Sequence, residues 1–496
     1  MDLLNGILNV LSINNIAYCF IGCLLGTLVG VLPGISPSST IALLLPLSRF
    51  FDPTGSIIML AGLYYGAMYG GSTTSILVNI PGEPASVITC VDGFQMTRQG
   101  RAGQALWIAA VGSFIAGTFG AIMISIIGPG IAKYALKFGP PEYCGLLLFS
   151  LTTIISLSGG SILKGLVAGM VGFFIASVGL DPLTGVRRLD FGSIQLTMGL
   201  ELIPVMVGIF GIGEVLSSAE QGVSQIYKGK IGKMIPRGPD LKIGLWASVR
   251  GTILGFFLGI VPGMNSILTS FFSYDLEKRV SKHPEKFGTG VIEGVAGPEA
   301  ANNATAQAGF IPMLSLGIPP TPAFAMIMAA MIIYGLQPGP LIFMENKDFV
   351  WTVIGSMYIG NVILLILNLP LVGLWARISL IPYKFLGPAI LAICLIAAYS
   401  LRNTMFDVWV AIGFGILGYY MRKRGWPLIP LILGMILGDL FEKNLRQSLS
   451  MSSGSVLILF KRPIVAIFVL VTIITFVLMV TLLRRVPKGV LKQDES

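Results

Sequence analysis

Long uncharged runs of mostly apolar residues, separated by short polar segments, dominate the chain. The first run extends from Leu3 to Ser48. Comparable runs are Ala102–Ala132, Tyr143–Leu163, Gly251–Tyr274, Ala300–Met344, Phe349–Ala376 and Pro463–Leu483. Because a membrane-spanning helix needs about 20 mostly apolar residues, the pattern predicts about 11–12 transmembrane helices. We therefore expect an all-α polytopic integral membrane protein, whereas a membrane β-barrel would show short alternating segments.

Three motifs occur twice along the chain, in the same order in each half. The pairs are Gly26–Gly34 with Gly255–Gly263, offset 229 (262 − 33); Gly70–Ser75 with Ala301–Ala306, offset 231 (305 − 74); and Ile80–Ala85 with Ile318–Ala323, offset 238 (319 − 81). Internal self-similarity of this kind indicates structural repeats, and the change in offset implies about seven extra residues in the second copy. The predicted divisions are a first half at 1–213, a cytoplasmic linker at 214–250, a second half with C-terminal helices at 251–484, and a cytoplasmic tail at 485–496.

The repeated motifs contain proline and glycine inside apolar runs, which predicts broken helices. Proline lacks an amide proton and clashes with the preceding turn, and glycine adopts backbone geometries that other residues avoid. Unsatisfied backbone groups are costly in hydrocarbon, so a broken helix must line a cavity or be buried in protein. Paired interruptions in two halves therefore indicate the binding site of a transporter.

Two sets of candidate site residues follow from this pattern. The predicted helix breaks, which are also candidate cation sites, are Pro33, Gly34, Asn79, Pro81, Gly82, Pro262, Gly263, Pro319 and Pro320. The predicted substrate-binding residues beside them are Ser36, Ser38, Ser39, Thr40, Ser72, Thr73, Thr74, Asn265, Ser266, Asn302, Asn303 and Thr305. The alternative is a packing role, since small residues allow helices to approach closely and hydroxyls often bond their own helix.

The charge distribution predicts the orientation of the chain in the membrane. The net charge is +10, and the basic residues stand between apolar runs rather than in one patch that would bind nucleic acid. Arg422-Lys423-Arg424 fills a tight turn, and Arg484, Arg485, Lys488 and Lys492 follow the last apolar run. Cytoplasmic segments carry an excess of Lys and Arg, so we expect the 214–250 linker and the C-terminus to be cytoplasmic.

The motifs of several enzyme classes are missing or incomplete in the sequence. His283 is the only histidine and the five cysteines are scattered, so we expect no transition-metal site. Tyr274-Asp275 and Gly438-Asp439 resemble the aspartate pair of an intramembrane protease, but Ile436 stands where that motif has glycine. The sequence contains neither the nucleophile motif of serine hydrolases nor a nucleotide-binding loop. We expect a transporter rather than an enzyme; the alternatives are a channel or another carrier for small anions and, with less support, an intramembrane protease.

The repeated segments resemble those of a known transporter family. The resemblance extends over nearly the whole chain and is most specific in Val31–Thr40, Tyr64–Leu77, Asn79–Ser86 and Gly317–Pro319. These segments are similar to the large membrane subunit, or permease, of the tripartite tricarboxylate transporter family. The resemblance implies a bacterial inner-membrane permease that works with a four-helix small membrane subunit and a periplasmic solute-binding protein. It also implies uptake of citrate or other organic carboxylates by symport, sodium as the usual coupling ion, no other cofactor, and distant similarity to elevator-type carriers.

The candidate motifs contain no basic side chain that could bind a carboxylate directly. Lys164 is the one lysine that lies between apolar runs and close enough to contact the substrate, and extension to the membrane interface is the alternative role for it. The anion must then be held by helix ends, amides, hydroxyls and a co-bound cation. Glu83, Glu293 and Glu299 flank the motifs, and an acid inside the membrane is a candidate cation ligand or proton carrier. The sequence leaves open which carboxylate is transported, whether sodium or protons are coupled, the oligomeric state and the side of the N-terminus.

Overall fold

The structure is a computed structural model of the 496-residue chain. It describes residues 2–32, 35–48, 50–79, 81–135, 138–157, 161–181, 184–221, 232–236, 238–261, 264–339, 341–378, 383–400 and 402–483.

Helices form nearly all of the regular structure in these ranges. They are α1 (Asp2–Val10), α2 (Ile13–Val31), α3 (Pro37–Ser48), α4 (Pro53–Val78), α5 (Val87–Arg98), α6 (Ala102–Ala135), α7 (Pro140–Leu157), α8 (Ile162–Ala176), α9 (Ile194–Thr197), α10 (Leu202–Met206), α11 (Gly213–Gln221), α12 (Pro239–Gly259), α13 (Ser266–Val280), α14 (Glu293–Ala308), α15 (Phe310–Leu316), α16 (Pro322–Ile333), α17 (Ile342–Glu345), α18 (Lys347–Asn368), α19 (Val372–Ile378), α20 (Tyr383–Ser400), α21 (Met405–Lys423), α22 (Leu428–Met451), α23 (Ile458–Lys461) and α24 (Pro463–Leu483). Short 3-10 helices lie at Pro84–Ser86 and Pro284–Lys286, and a π-helical segment at Val207–Ile212. Strands β1 (Gly179–Leu180) and β2 (Arg187–Arg188) pair antiparallel.

The prediction of an all-α polytopic membrane protein is confirmed. Among the described residues, five helical spans are long and apolar enough to cross a membrane: Ile13–Val31, Ala102–Gly128, Leu202–Glu220, Pro239–Gly259 and Lys347–Asn368. Shorter apolar helices accompany them, including α3 and α16. The count of about 11–12 transmembrane helices stays a prediction.

Helices α2 and α4 pack in parallel through glycines. Gly22 lies against the backbone of Met59, Gly26 against Leu63, and Gly30 against Ala67, so no Cβ fits at these glycines. Helix α3, which lies between α2 and α4 in the sequence, runs back toward the end of the molecule where α4 starts. Its last residue, Ser48, accepts a hydrogen bond at 2.9 Å from Ser56 near the start of α4. Close backbone approach through small residues is the usual packing mode of membrane helices.

Helices α12 and α14 repeat this arrangement. Gly251 lies against the backbone of Gly297, Gly255 against Ala301, and Gly259 against Thr305. Helix α13 returns beside α12, because Glu277 near its end pairs with Arg250 in the first half of α12 at 2.5 Å. The helix breaks and close contacts of the first half thus recur in the second half.

The contacts also define the register of the two copies. Each α14 residue that contacts a glycine of α12 lies 238 positions after the α4 residue that contacts the corresponding glycine of α2 (297 − 59, 301 − 63, 305 − 67). The left-handed residues that end α4 and α15, Asn79 (φ 57°) and Gly317 (φ 69°), differ by the same number (317 − 79). The offset therefore changes from 229 to 238 before α14, and the extra residues lie in the α13–α14 loop, 281–292. The sequence pairing of Gly70–Ser75 with Ala301–Ala306 at an offset of 231 does not follow this register.

The two copies start at opposite ends of the molecule. An ion pair of 2.9 Å between Asp2 and Lys347 marks the end at which α1, α2 and α18 begin, which we call the Asp2 end. An ion pair of 2.5 Å between Arg101 and Asp240 marks the Arg101 end, at which α6 and α12 begin. Helix α6 connects the ends, because Gly128 in its last third packs on Phe343 just before α18.

The predicted linker, 214–250, is helical at both of its ends. It includes most of α11 and the first half of α12, and the described residues between these helices are 232–236 and 238. The predicted tail, 485–496, lies outside the described residues. The other domain boundaries stay predictions.

Candidate functional site

Helices end on both sides of each predicted Pro-Gly break. Pro33, Gly34, Pro262 and Gly263 themselves lie outside the described residues. Before them, α2 ends at Val31 and α12 at Gly259; after them, α3 begins at Pro37 and α13 at Ser266. In each copy, one helix therefore ends before the Pro-Gly pair and another begins after it, within a single long apolar run.

A second interruption in the first copy brings the Pro-Gly-Glu motif against α4. Asn79 takes a left-handed conformation at the end of α4, and Pro81 follows without helical structure. Gly82 then packs against the carbonyl of Gly30 and the Thr74 hydroxyl. A Cβ added to Gly82 would lie only 2.6 Å from Thr74 Oγ1. Glycine is required at this position because a side chain would collide with two helices at once.

The second copy has the equivalent interruption after α15. Gly317 adopts the left-handed conformation, and Pro319 and Pro320 precede α16. Pro320 lies 238 positions after Gly82 and approaches Gly309, which lies 238 positions after Gly71. Thr321 thus occupies the place of Glu83, and its buried hydroxyl has no hydrogen-bond partner in the described part of the chain.

Glu83 connects the first interruption to the second half of the chain. Its side chain is 4% exposed and accepts hydrogen bonds from the Ala85 amide (2.8 Å) and the Asn302 side-chain amide (3.0 Å). The Glu83 backbone amide donates to Ser86 Oγ at 3.4 Å, which closes a capping box, and the Ser86 hydroxyl donates to the Glu83 carbonyl at 2.8 Å. The carboxylate is therefore held at a fixed place beside the middle of α14.

Glu299 is fully buried on α14, one turn before Asn302. Its two oxygens accept hydrogen bonds from the Ser72 hydroxyl (2.6 Å) and the Thr89 hydroxyl (2.5 Å), which belong to α4 and α5. Asn303 donates to Ser113 Oγ at 2.8 Å on α6. We call Ser72, Glu83, Thr89, Glu299, Asn302 and Asn303 the central polar cluster. It joins both halves of the chain, and among the described residues no basic side chain forms an ion pair with its acids.

Buried oxygen atoms without partners lie along the same helix. The side-chain oxygens of Asn302, Asn303 and Gln307 are buried and accept no hydrogen bond from any described residue. An unsatisfied buried polar atom carries a desolvation cost of about 1–3 kcal/mol, and in native proteins it calls for an explanation such as an ion or a ligand. These oxygens, together with the two carboxylates, are the ligand types that hard cations prefer.

Several predicted site residues instead contact other parts of the structure. Ser39 donates to the Phe210 carbonyl in the π-helical segment (2.7 Å) and pairs with Ser36 (2.6 Å), and Thr40 donates to the Ser36 carbonyl (3.2 Å). Ser38 is half-buried in the same turn. The Thr305 hydroxyl donates to the Gly255 carbonyl at 2.9 Å and lies 2.8 Å from Thr269 Oγ1, so it forms a packing contact between α12, α13 and α14.

Other predicted residues lie beside the central polar cluster without forming its core. Asn265 caps α13 by accepting from the Leu268 amide at 3.0 Å, and Ser266 donates to the Asn302 carbonyl at 3.4 Å. Thr73 is buried next to Ser72, and Thr74 donates to the Gly71 carbonyl at 3.3 Å.

Some functional candidates differ from the sequence-based expectation. Thr89 belongs to the central polar cluster and Ser113 contacts it through Asn303, but both lie in segments without a repeated motif. Glu293, which flanks a motif, accepts from Ser281 at 3.1 Å and is not part of the cluster. Lys164 donates to the Arg424 carbonyl at 2.7 Å and is not part of the cluster.

Comparisons with known proteins identify the family of the chain. Residues 16–433 match the model of the tripartite tricarboxylate transporter TctA family. The chain is 46% identical over 476 residues, 94% of each chain, to an uncharacterized 52.8 kDa protein in the TAR-I ttuC' 3'region of Agrobacterium vitis. It is 48% identical over 212 residues, 43% of this chain and 88% of the relative, to an uncharacterized protein in the TAR-II ttuC' 3'region of the same organism. No solved structure matches. The family match covers most of the chain, and the chain therefore belongs to the tripartite tricarboxylate transporter TctA family, a family of transporters.

Proposed function

We propose that this chain is the permease of a tripartite system that takes up a tricarboxylate, such as citrate, or a related organic carboxylate by symport with a cation. The observation that carries the proposal is the central polar cluster, in which Glu83 and Glu299 from different halves meet buried amide and hydroxyl groups without a basic partner in the described ranges. Family membership supports the same transport function.

The cluster is best suited to binding the coupling cation. A charged side chain in the membrane is costly unless it is paired, so a buried carboxylate with oxygen-rich surroundings marks an ion pathway. The unpartnered oxygens of Asn302, Asn303 and Gln307 add neutral ligands near these carboxylates. We infer that sodium is the coupling ion, because amide and carboxylate oxygens together with backbone carbonyls freed at broken helices are typical sodium ligands in transporters.

The substrate carboxylates are then bound beside the cation by the broken helices. The starts of α3 and α13 supply backbone amides and a partial positive charge, which stabilise anions without a basic side chain. Ser36, Ser38, Asn265 and Ser266 line these starts. The bound cation offsets part of the negative charge of the substrate, so each ligand raises the affinity for the other.

The arrangement of the two copies supports an inverted repeat and an elevator-type movement. Copies that start at opposite ends of a membrane protein and share a central site are typical of alternating-access carriers. The Arg101 end carries Arg98, Lys278, Arg279 and Lys282 in addition to Arg101, so the positive-inside rule assigns this end to the cytoplasm of a bacterial inner membrane. The end of α21 is then cytoplasmic as well, because Lys423 pairs at 2.6 Å with Glu220, which lies at the end of α11 that leads to α12. We place the C-terminus on the same side, since the two apolar helices α22 and α24 follow α21.

Two partners complete the proposed system: a four-helix small membrane subunit and a periplasmic solute-binding protein that delivers the carboxylate. The permease alone has little capacity to capture dilute solute, so we expect full uptake only from the three components together. Membrane lipid surrounds the spanning helices, and no nucleic acid takes part.

The test is uptake of radiolabelled citrate and other di- and tricarboxylates into proteoliposomes with an imposed sodium gradient, with and without the two partners. We expect saturable uptake that needs all components and collapses when the gradient is dissipated. Flux that rises linearly with concentration would instead indicate a channel, and a proton gradient that replaces sodium would reassign the coupling ion. Uptake by the permease alone at the rate of the complete system would contradict the need for partners.

A further inference from the structure

The α13–α14 loop, 281–292, is held against α5 by a single buried carboxylate. Asp92 is 0% exposed and lies one turn after Thr89 on α5. Its Oδ1 accepts hydrogen bonds from the backbone amides of Gly288 (3.0 Å), Gly290 (2.7 Å) and Val291 (3.0 Å). Its Oδ2 accepts from the Tyr274 hydroxyl at 2.8 Å. A carboxylate offers about four acceptor sites, so these donors occupy most of its capacity.

The packing around this carboxylate leaves no space for a change of position. Gly294, in the first turn of α14, lies so close to Asp92 that a Cβ would collide with the carboxylate oxygens and approach Asp92 Cβ to 3.0 Å. Two neighbours on the α5 side add contacts to the same loop: Gln99 donates to the Thr289 carbonyl at 2.6 Å, and Arg101 donates to the Gly290 carbonyl at 3.2 Å. The loop is therefore fixed to α5 immediately before α14 begins.

The equivalent place in the other copy, where α16 faces the α3–α4 connection, has no counterpart of Asp92. The position 238 residues after Asp92 is Ala330 on α16, and the α3–α4 connection, 49–52, is shorter than the α13–α14 loop. There, the Tyr334 hydroxyl donates to the Ser48 carbonyl and lies 2.9 Å from Ser56 Oγ. The extra residues of the second copy are thus the residues that surround Asp92.

We propose that Asp92 is a positioning residue that fixes α14 relative to α5, and thereby sets the distance between Thr89 and Glu299 in the central polar cluster. Asp92 and Thr89 are three residues apart on one face of α5. The loop amides bonded to Asp92 lead directly into α14, which carries Glu299, Asn302 and Asn303. A shift of α14 by even a fraction of a turn would separate the Glu299 carboxylate from Thr89, now 2.5 Å away. The proposal rests on the proposed function for its effect on transport, but its structural part does not.

Two variants test it, with one matched control. Asp92→Asn replaces an acceptor with an amide that presents N–H groups to backbone N–H donors, and Gly294→Ala displaces the carboxylate without removing its charge. Asp275→Asn removes an acid at the same end of the molecule, where Asp275 is 57% exposed and pairs with Arg279 of its own helix. Because hydrogen bonds to charged groups are strong, we expect both test variants to raise the KM for carboxylate and sodium by about tenfold or more, per inserted molecule, with the control near wild type.

A second readout is independent of substrate. Cys90 is 9% exposed, lies between Thr89 and Asp92, and is the only cysteine left when the other four, all buried, are replaced by alanine. We expect N-ethylmaleimide to react with Cys90 faster in the two test variants than in the control. Unchanged Cys90 reactivity, or an unchanged KM in fully inserted variants, overturns the proposal. If the wild-type system transports no carboxylate, the proposed function fails, and the Cys90 comparison alone decides whether Asp92 positions α14.

Discussion

The Ser72 hydroxyl donates to the Glu299 carboxylate at 2.6 Å, although 227 positions (299 − 72) separate the two residues. Ser72 belongs to α4 in the first copy and Glu299 to α14 in the second, and both are buried. This contact joins the two halves at the central polar cluster. The predictions below depend on it and on the contacts around it.

Removal of the Ser72 hydroxyl should weaken cation-coupled uptake. Ser72→Ala leaves one carboxylate oxygen of Glu299 without its donor, which costs about 1.5–3 kcal/mol, or roughly ten- to more than a hundredfold in affinity for the ligand that this geometry serves. The measurement is the sodium concentration at half-maximal uptake. Ser315→Ala is the matched control, because the buried Ser315 hydroxyl donates to the Ile311 carbonyl of its own helix.

A double-mutant cycle tests whether Ser72 and Glu299 act as a pair. Ser72→Ala and Glu299→Gln should be strongly non-additive in uptake, with a coupling free energy of about 0.5–3 kcal/mol, because each single change already disrupts the same contact. Additive effects would mean that the contact has no part in transport and that each residue acts separately.

Asn302→Leu should reduce uptake while the protein remains inserted. The substitution keeps approximate size but removes the amide that donates to Glu83 and the oxygen that has no partner in the described structure. Asn303→Leu, which removes the contact to Ser113, should have a similar effect. If both variants are inserted and keep wild-type uptake and sodium dependence, the broken helices are packing devices and the site lies elsewhere.

Gly82→Ala should destabilise the interruption after α4. The added methyl group would collide with Gly30 and Thr74, and such overpacking costs about 1–3 kcal/mol. We expect a lower thermal midpoint of the purified protein and reduced uptake. Gly413→Ala on α21 is the control, since nothing lies within 4 Å of a Cβ added there. Equal thermal midpoints for the two variants would show that the Gly82 contact is loose.

The orientation in the membrane is open to cysteine labelling in a cysteine-free background. Lys347→Cys at the Asp2 end should react with an impermeant thiol reagent from the periplasm, and Lys286→Cys at the Arg101 end should react only after permeabilisation. Both positions are exposed. The opposite pattern would reverse the proposed topology.

The sequence predicts the architecture better than the site because the two depend on different information. Apolar runs and Pro-Gly motifs are local, so the all-α membrane class and the helix ends on either side of Pro33 and Pro262 could be predicted. The register of the copies depends on where the extra residues of the second copy lie. The motif offset of 231 predicted most of them after α14 begins, whereas the structure has them in the α13–α14 loop. The contacts of Thr89 and Asp92 with α14 and its preceding loop depend on that register, so no sequence motif indicated them.

The central claim is that Glu299 and Glu83 form a cation site between the two halves, and direct binding of ²²Na⁺ to the purified permease tests it without partners or substrate. We predict saturable binding by the wild-type protein and by Glu293→Gln, whose acid lies on α14 but bonds Ser281 outside the cluster. Binding should be lost in Glu299→Gln and weakened about tenfold or more in Glu83→Gln. Equal sodium binding by all four proteins would contradict the account.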